Sequence, residues 1–313
     1  MIIHNRLSSV NCRSPVVAFG TFDGVHLGHR QLLSAVRETA VQKGTASVVM
    51  TFWPHPRLVL GQAGQDFRLL NSLGEKSRLI AATGIDHLIV VPFTGEFASI
   101  GPEDFVRTYL WEALHPACVL VGEDVRYGTG GKGDISRLVE MGLVLGFEVS
   151  RFEPCLSGGE RISSTGIRSY LQNGDLEKAN AMLGYPYSLN GTVTTGNRIG
   201  NTIGFPTANI LVTEEYKQIP CDGVYAVRVG SGIEDYDGML NIGIRPTIPD
   251  QEHKTIEVHL FGAAGDLYGE QLEIRFIARL RNEMKFNSLE ELRLQLVKDR
   301  AAALEILPPP NSC

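Results

Sequence analysis

The chain has 313 residues with a formal net charge of −6, and 43% of its residues are hydrophobic. Because this length exceeds that of a usual single domain, we expect two domains, each with its own core. The negative charge argues against nucleic acid as a partner. The five dispersed cysteines form no C-x-x-C pair, which argues against a zinc site or a disulfide framework. Without an apolar leader or a run long enough to cross a bilayer, the sequence predicts a cytoplasmic protein with no membrane partner.

In the first half, short apolar strands alternate with helical stretches. Strands are predicted at 16–20, 47–53, 87–93, 118–122 and 147–152, and helices at 29–42, 73–83, 102–114 and 135–145. Two more helices, at 164–172 and 176–183, are expected to close this half. The alternation predicts an α/β, Rossmann-like domain with a parallel sheet covered on both faces. Ligands of such sheets lie at the carboxyl ends of the strands.

The pattern changes after residue 186. Short strands rich in β-branched residues are predicted at 190–195, 223–229, 236–242, 255–260 and 271–277, with glycine, proline and aspartate turns between them. This spacing predicts an all-β barrel, and the apolar stripe at 289–304 predicts one packed terminal helix. We therefore predict a first domain at 1–186 and a second at 187–313.

A motif with two histidines, G-T-F-D-G-V-H-L-G-H, covers residues 20–29, directly after the first apolar strand. The first N–H groups of a helix lack partners and the helix dipole is positive there, so a phosphate is attracted to this point. Gly24 and Gly28 permit a close backbone approach, and His26 and His29 can donate hydrogen bonds to phosphate oxygens. A purely structural turn, with one histidine capping the helix, is the alternative.

A second candidate phosphate motif is I-S-S-T-G-I-R at residues 162–168. Ser163 or Ser164 can cap the next helix, and the hydroxyl groups together with Arg168 can hold phosphate oxygens. The alternative is an ordinary capped helix with a solvated arginine.

Two more strand ends carry unusual residues. The segment T-F-W-P-H-P-R at 51–57 places aromatic rings beside two prolines, which suits a stacking wall for a flat ring. The segment V-G-E-D-V-R-Y-G at 121–128 follows another strand. Core aromatic residues and a structural His55 are the alternative interpretation.

The second half carries a glycine-rich segment at residues 191–209 that lacks the G-K-[ST] ending of a P-loop. Its glycines let backbone N–H groups surround phosphates. Thr207 and Asn209 offer neutral oxygens suited to Mg²⁺ beside nucleotide phosphates. A flexible hairpin loop with a turn at Phe205 and Pro206 is the alternative.

The motifs of both halves resemble known families. The histidine motif and the I-S-S-T-x-I-R motif resemble those of nucleotidyltransferases. Segments of the second half recur in the same order in riboflavin kinases: G-V-Y-A at 223–226, N-I-G-I-R-P-T at 241–247, I-E-V-H-L-F at 256–261, D-L-Y-G at 266–269 and L-R-N-E-M-K-F at 280–286. Over nearly its whole length, the chain resembles the prokaryotic bifunctional riboflavin kinases/FAD synthetases.

This resemblance implies two reactions. In the family, the barrel transfers the γ-phosphate of ATP to riboflavin, giving FMN, and the first domain adenylylates FMN to FAD with release of pyrophosphate. The implied cofactors are Mg²⁺, ATP as co-substrate, and FMN and FAD as product ligands, and the implied partners are riboflavin, FMN and ATP. Carried over by motif, Glu257 is the catalytic carboxylate of the kinase, and Thr207 and Asn209 contact the metal and ATP. Without the resemblance, Glu257 would be an outward strand residue.

The resemblance also assigns the remaining site residues. In the first domain, His26 and His29 are catalytic, and the expected contacts to ATP are Gly20, Phe22, Asp23, Gly28, Ser164, Thr165 and Arg168. In the second domain, the expected contacts to ATP are Gly196, Arg198, Gly200 and Gly204. The expected flavin contacts are Phe52, Pro54, His55, Pro56, Asp124 and Arg245.

The chain departs from the family pattern at two places. Asn201 stands where the family commonly has a second basic residue, and residues 125–132 lack an aromatic and a charge usual there. From the change at 125–132, a weaker grip on the flavin or nucleotide in the adenylylation site would follow. The alternatives are therefore an enzyme with riboflavin kinase activity only and a non-catalytic flavin-sensing protein. The sequence also leaves open whether the protein is a homo-oligomer.

Overall fold

The computed structural model describes residues 1–7, 10–62, 64, 67–153, 156–195, 203–232, 234–245, 253–262 and 267–307. The chain divides into two compact units, Met1–Ser164 and Thr165–Cys313. An α/β first unit and an antiparallel barrel in the second confirm the predicted fold class. In the part of the chain described, every helix is too short or too polar to cross a membrane.

The first unit is built on a six-stranded parallel sheet with the order β1-β4-β3-β2-β5-β6. Its strands are β1 (Ile2–His4), β2 (Val16–Phe19), β3 (Ser47–Trp53), β4 (His87–Pro92), β5 (Cys118–Gly122) and β6 (Glu148–Phe152). The edge strand β1 was not predicted, since three residues are too few to show a period. A short antiparallel pair, β7 (Leu156–Ser157) and β8 (Glu160–Arg161), follows the sheet.

Helices cover both faces of this sheet. They are α1 (Leu27–Lys43), α2 (Pro56–Val59), α3 (Leu73–Ala82), α4 (Gly95–Ala98), α5 (Pro102–Asp104) and α6 (Ile135–Leu145). The single helix predicted at 102–114 is α5 continued by a π-helix at Phe105–Glu112. Along the fully buried β2, Val17 faces one hydrophobic core and Val16 faces the other. A strand buried on both sides explains why its sequence is continuously apolar.

The second unit contains a closed antiparallel barrel with the strand order β10-β13-β12-β11-β14-β9. The strands are β9 (Ser188–Thr194), β10 (Ala208–Leu211), β11 (Gly223–Gly230), β12 (Asp235–Arg245), β13 (His253–Leu260) and β14 (Gln271–Arg281). The terminal helix α9 (Leu289–Ile306) buries Ala303 against Ala226 of β11. The short strand β10 was not predicted, although it carries Asn209.

Two helices precede the barrel, α7 (Ser164–Asn173) and α8 (Leu176–Leu183). The Asn180 side-chain amide donates to the carbonyl oxygen of Phe276 at 2.9 Å, and Cys221 N–H donates to the carbonyl of Leu171 at 3.0 Å. These bonds tie both helices to the barrel, whereas the sequence grouped them with the first domain. An amphipathic helix looks the same in sequence whichever core it covers.

Candidate active sites

The histidine motif forms the turn between β2 and α1. Phe22 and Val25 both have a positive φ, at 46° and 35°, although neither is glycine. Such a backbone persists only when its surroundings hold it in place, and it is commonly found at functional sites. The turn leads directly into the N-terminus of α1, where Gly28 is the second residue.

The two histidines of the motif lie against each other. His26 is the N-cap of α1, and its Nδ1 accepts a hydrogen bond from the backbone N–H of His29 at 3.3 Å. Because Nδ1 accepts, the proton of neutral His26 sits on Nε2, which is then a donor. The rings stack at 3.6 Å between centroids, and Phe22 packs edge-on against His29 at 5.3 Å.

Burial keeps both imidazoles neutral. Desolvation lowers the pKa of His26 to about 4, opposed by the nearby carboxylate of Asp23. Desolvation, with the positive charge of Lys76 and the neighbouring His26, lowers the pKa of His29 well below its ordinary value. The enclosed Nδ1 of His29 has no hydrogen-bond partner among the described residues. At neutral pH the pair is therefore a set of uncharged donors at a helix N-terminus.

Hydrogen bonds from α3 and from the segment that leads into it hold this turn in place. The carboxylate of Asp23 accepts hydrogen bonds from the backbone N–H groups of Leu70 and Asn71, at 3.0 and 3.4 Å. The ammonium of Lys76, on α3, donates to the carbonyl oxygen of Thr21 at 2.7 Å. Lys76 was not predicted as a site residue, because in sequence it resembles any lysine on a helix.

Ser164 also reaches the turn. Its hydroxyl donates to the carbonyl oxygen of Asp23 at 2.8 Å, which joins the second candidate motif to the first. Gly20, at the end of β2, donates its N–H to the carbonyl of Met50 at 3.1 Å. Thr165 and Arg168 follow Ser164 on α7 and belong to the second unit.

The structure places each residue of the first unit that is expected to contact the flavin. Phe52 is buried in an aromatic cluster and lies 5.5 Å from Phe97, between ring centroids. His55 caps α2, where Pro56 is the first residue, and its ring packs against Phe67 at 5.2 Å. Pro54 follows Trp53 through a cis peptide bond. Asp124 forms an ion pair with Arg161.

The second site lies on the barrel. Glu257 of β13 stands directly opposite Asn209 of β10, and the Thr207 hydroxyl donates to the Glu257 carboxylate at 3.5 Å. Residues directly opposite each other in antiparallel strands point to the same face of a sheet. The structure therefore brings together the three residues that the sequence assigned to metal and proton chemistry.

Two more residues of this site were missed by sequence reasoning. Asn241 of β12 stands opposite Glu257 on its other side, so Glu257 is flanked by an asparagine on each neighbouring strand. His259, two residues after Glu257, bonds through Nδ1 to the carbonyl oxygen of Pro206 at 2.7 Å. The period-2 alternation of β13 places His259 on the face of Glu257, but the register that pairs Asn241 with Glu257 is not visible in sequence.

Part of the predicted nucleotide loop lies outside the described residues, namely Gly196, Arg198 and Gly200. Gly204 has a positive φ of 81°, a backbone conformation that favours glycine. Arg245 ends β12, with its backbone opposite His253.

Comparison with protein families finds a match in each unit. The family model described as FAD synthetase matches residues 9–166, and the one described as riboflavin kinase matches residues 183–307. A crystal structure described as a macrolide-efflux protein from Streptococcus pneumoniae shares the fold with a TM-score of 0.86 and 29% identity, covering 97% of this chain and 98% of that chain.

Relatives with curated names are similar over nearly the whole chain. Proteins named bifunctional riboflavin kinase/FMN adenylyltransferase are 42% identical in Listeria monocytogenes, covering 91% of this chain and 90% of the relative. The relatives in Escherichia coli and Bacillus subtilis are both 38% identical, and cover 97% and 96% of this chain and 96% and 95% of their own lengths. With both family models matched and relatives well above 30% identity, the chain belongs to the bifunctional riboflavin kinase/FMN adenylyltransferase family.

Proposed function

We propose that this protein makes FMN from riboflavin and ATP on its barrel, and FAD from FMN and a second ATP on its α/β unit. The observation that carries the proposal is that each unit holds its own reaction site. The first has two neutral histidines at the N-terminus of α1, and the second has Glu257 between two asparagines beside the Thr207 hydroxyl. The matches to both family models support the same division.

In the kinase step, the proposal assigns proton removal to Glu257. The ribityl 5′-hydroxyl of riboflavin attacks the γ-phosphorus of ATP, a new O–P bond forms, the bond to the β-phosphate oxygen breaks, and ADP leaves. The hydroxyl proton passes to the Glu257 carboxylate as the O–P bond forms. The barrel holds the backbone of Glu257 rigidly, because β13 is paired with β10 on one side and with β12 on the other.

The residues around Glu257 fit a magnesium ion. The Thr207 hydroxyl, the Asn209 amide and the Glu257 carboxylate all offer oxygen, the donor type that Mg²⁺ prefers. Among the described residues, no group of three or more acidic, histidine or cysteine side chains could hold a metal ion. A metal at this site would therefore also need ligands from the ATP phosphates. Thr207 and Asn209 would hold it. Bound there, Mg²⁺ supplies positive charge to the phosphates.

In the adenylylation step, the proposal assigns stabilisation of developing negative charge to the histidines. A phosphate oxygen of FMN attacks the α-phosphorus of ATP, the bond between the α-phosphorus and the β-phosphate oxygen breaks, and pyrophosphate leaves. The Nε2–H of His26 and the free N–H groups at the start of α1 are donors for these oxygens. No proton transfer is required of the protein, which suits imidazoles that stay neutral.

The remaining residues that are expected to contact ATP or the flavin also have roles in the proposal. In the first site, Gly20, Phe22, Asp23, Gly28 and Ser164 shape the turn that receives the triphosphate. From the family resemblance, the proposal also assigns phosphate contacts to Thr165, Arg168, Gly196, Arg198, Gly200 and Gly204, and flavin contacts to Phe52, Pro54, His55, Pro56, Asp124 and Arg245. It places both reactions in the cytoplasm, where ATP is supplied.

One assay separates this proposal from its alternatives. The purified protein is incubated with riboflavin, ATP and Mg²⁺, and the flavins are resolved by chromatography; a second incubation supplies FMN in place of riboflavin. We expect FMN and then FAD in the first, and FAD in the second. FMN without FAD in both incubations would leave a riboflavin kinase only, and unchanged flavins in both would favour a non-catalytic flavin-sensing protein.

A further inference from the structure

We propose that Lys76 is a positioning residue for FAD formation: its ammonium holds the histidine turn in its strained conformation. The inference rests on the proposed adenylyltransferase function of the first unit and adds a residue to it. Lys76 lies on α3, outside every motif that the sequence analysis singled out.

The charge of Lys76 is buried. Lys76 is only 1% exposed, yet its side chain carries an ammonium group with three N–H donors. It donates to the carbonyl oxygen of Thr21 at 2.7 Å and lies 5.3 Å from the centre of the Trp53 ring. Burying a charge costs free energy, so a buried lysine aimed at one backbone carbonyl in a phosphate-binding turn points to a functional role.

The turn that Lys76 holds is strained at Phe22. Phe22 directly follows Thr21 and is 2% exposed, with a φ of 46°. A phenylalanine held in this region costs roughly 1–3 kcal/mol, which the surroundings must supply. Two side chains hold the Thr21 carbonyl oxygen, Lys76 with its charge and Thr51 with a neutral hydroxyl at 3.2 Å.

The segment that includes the start of α3 holds the turn at two points. The backbone N–H groups of Leu70 and Asn71 hold the carboxylate of Asp23, two residues after Thr21. Lys76 follows on the same segment, which therefore fixes the turn on both sides of Phe22. The turn then delivers His26 to the N-cap position of α1.

Lys76 also acts on His29 electrostatically. The titratable groups that interact with Lys76 and His29 are Asp23 and His26. The positive charge of Lys76 acts on His29 in the direction that lowers its pKa. Desolvation lowers the pKa of Lys76 itself to about 8, with Asp23 opposing that shift. The charge on Lys76 is therefore lost in a pH range where the two histidines are already neutral.

The experiment compares three variants: Lys76→Met removes the charge, Lys76→Arg keeps it, and Thr51→Val removes the neutral hydroxyl from the same carbonyl. FAD formation from FMN and ATP is measured as kcat/KM for ATP between pH 5 and 10. Riboflavin phosphorylation by the same molecules reports folding and concentration. The imidazole signals of His29, assigned with a His29→Gln variant, are titrated by NMR.

We expect Lys76→Met to lower FAD formation about a hundredfold, as expected when a reacting group is displaced by about 1 Å. In this variant the pKa of His29 rises. The wild-type rate falls as the pH rises through about 8, whereas Lys76→Arg keeps its rate to higher pH because a guanidinium stays charged. Thr51→Val lowers the rate without moving the pH profile or the pKa of His29.

Several outcomes would overturn the inference. It fails if Lys76→Met and Thr51→Val give the same pH profile and the same His29 titration, because Lys76 would then be structural only. If Lys76→Met does not fold, the arginine variant decides, and an alkaline limb identical to that of the wild type rejects the inference. A wild-type protein that makes no FAD would instead reject the proposed function itself.

Discussion

The imidazole of His26 lies parallel to that of His29, with 3.6 Å between the ring centroids and 12° between the planes. One hydrogen bond fixes this arrangement, from the backbone N–H of His29 to Nδ1 of His26. The bond does two things at once, since it caps α1 and leaves the proton of His26 on Nε2. Capping and catalysis, which the sequence pattern leaves as alternatives, are compatible at His26.

His29→Ala is expected to stop FAD formation while leaving FMN formation intact. The substitution removes a donor beside the proposed position of the triphosphate, and loss of one such donor costs about a hundredfold to a thousandfold in rate. Flavin products are quantified by chromatography after incubation with riboflavin and, separately, with FMN. Normal FAD output from this variant would remove His29 from the catalytic set.

Glu257→Gln is expected to have the reverse effect. The amide has nearly the same size as the carboxylate but cannot accept the hydroxyl proton of riboflavin, so FMN formation should fall about a hundredfold to ten-thousandfold. FAD formation from supplied FMN and ATP should continue at the wild-type rate. Loss of both activities together would contradict two separate sites.

Thr207→Val tests the proposed magnesium site. Valine keeps the branched shape of threonine and removes the oxygen that lies 3.5 Å from the Glu257 carboxylate. The Mg²⁺ concentration that supports half-maximal FMN formation should rise about tenfold, the equivalent of one lost polar interaction, and Thr207→Ser should restore it. A magnesium dependence that stays the same in Thr207→Val would exclude this hydroxyl as a ligand.

Much of the architecture could be predicted because both units use strong local patterns. The largely apolar strands Ser47–Trp53 and Cys118–Gly122 and the helices Ile135–Leu145 and Leu176–Leu183 have the predicted bounds. Several short strands, β1, β7, β8 and β10, were not predicted, since a period of two needs several repeats to show. The strand conformation of β1 and β10 comes from pairing with β4 and β13.

Site residues in a contiguous motif could be predicted, whereas those brought together by tertiary structure could not. The histidine motif is contiguous, so its helix-start geometry follows from local rules. Lys76 and Asn241 lie far along the chain from Thr21 and Glu257, to which tertiary structure and strand register bring them. Neither the burial of Lys76 nor the pairing of Asn241 has a local signature in the sequence.

Acidification is expected to destabilise the first unit through His26. Its pKa is about 4 in the folded chain against about 6.5 in an unfolded one, so between these values the unfolded chain binds more protons. Stability therefore falls as the pH falls from about 6.5 to about 4, by about 3 kcal/mol for this group, and the lowered pKa of His29 acts in the same direction.

Tryptophan fluorescence during denaturant unfolding measures this effect, because both tryptophans, Trp53 and Trp111, lie in the first unit. The control is His26→Asn, which can still cap α1 but does not titrate. The free energy of unfolding of this variant should depend less on pH than that of the wild type. Equal slopes for the two proteins would show that His26 does not carry the effect.

The attachment of α9 to the barrel gives a last prediction. Arg281, at the end of β14, forms an ion pair with Asp299 of α9 through both carboxylate oxygens, at 2.9 Å from Nε to Oδ1 and 2.7 Å from Nη2 to Oδ2. Asp299 is only 3% exposed and also accepts a bond from Gln295 at 2.8 Å. Asp299→Ala leaves the guanidinium without this carboxylate and should cost the second unit about 3 kcal/mol.

The same helix supplies a matched control for Asp299→Ala. Arg293 and Glu290 form an exposed ion pair at 2.9 Å, and Glu290→Ala should leave the stability of the second unit nearly unchanged, because water screens such pairs. Unfolding of the second unit is followed by the loss of riboflavin phosphorylation with rising denaturant, while tryptophan fluorescence follows the first unit. Asp299→Ala should lower the midpoint for phosphorylation and leave the fluorescence midpoint in place. Equal effects of the two substitutions would mean that the buried pair does not hold α9 on the barrel.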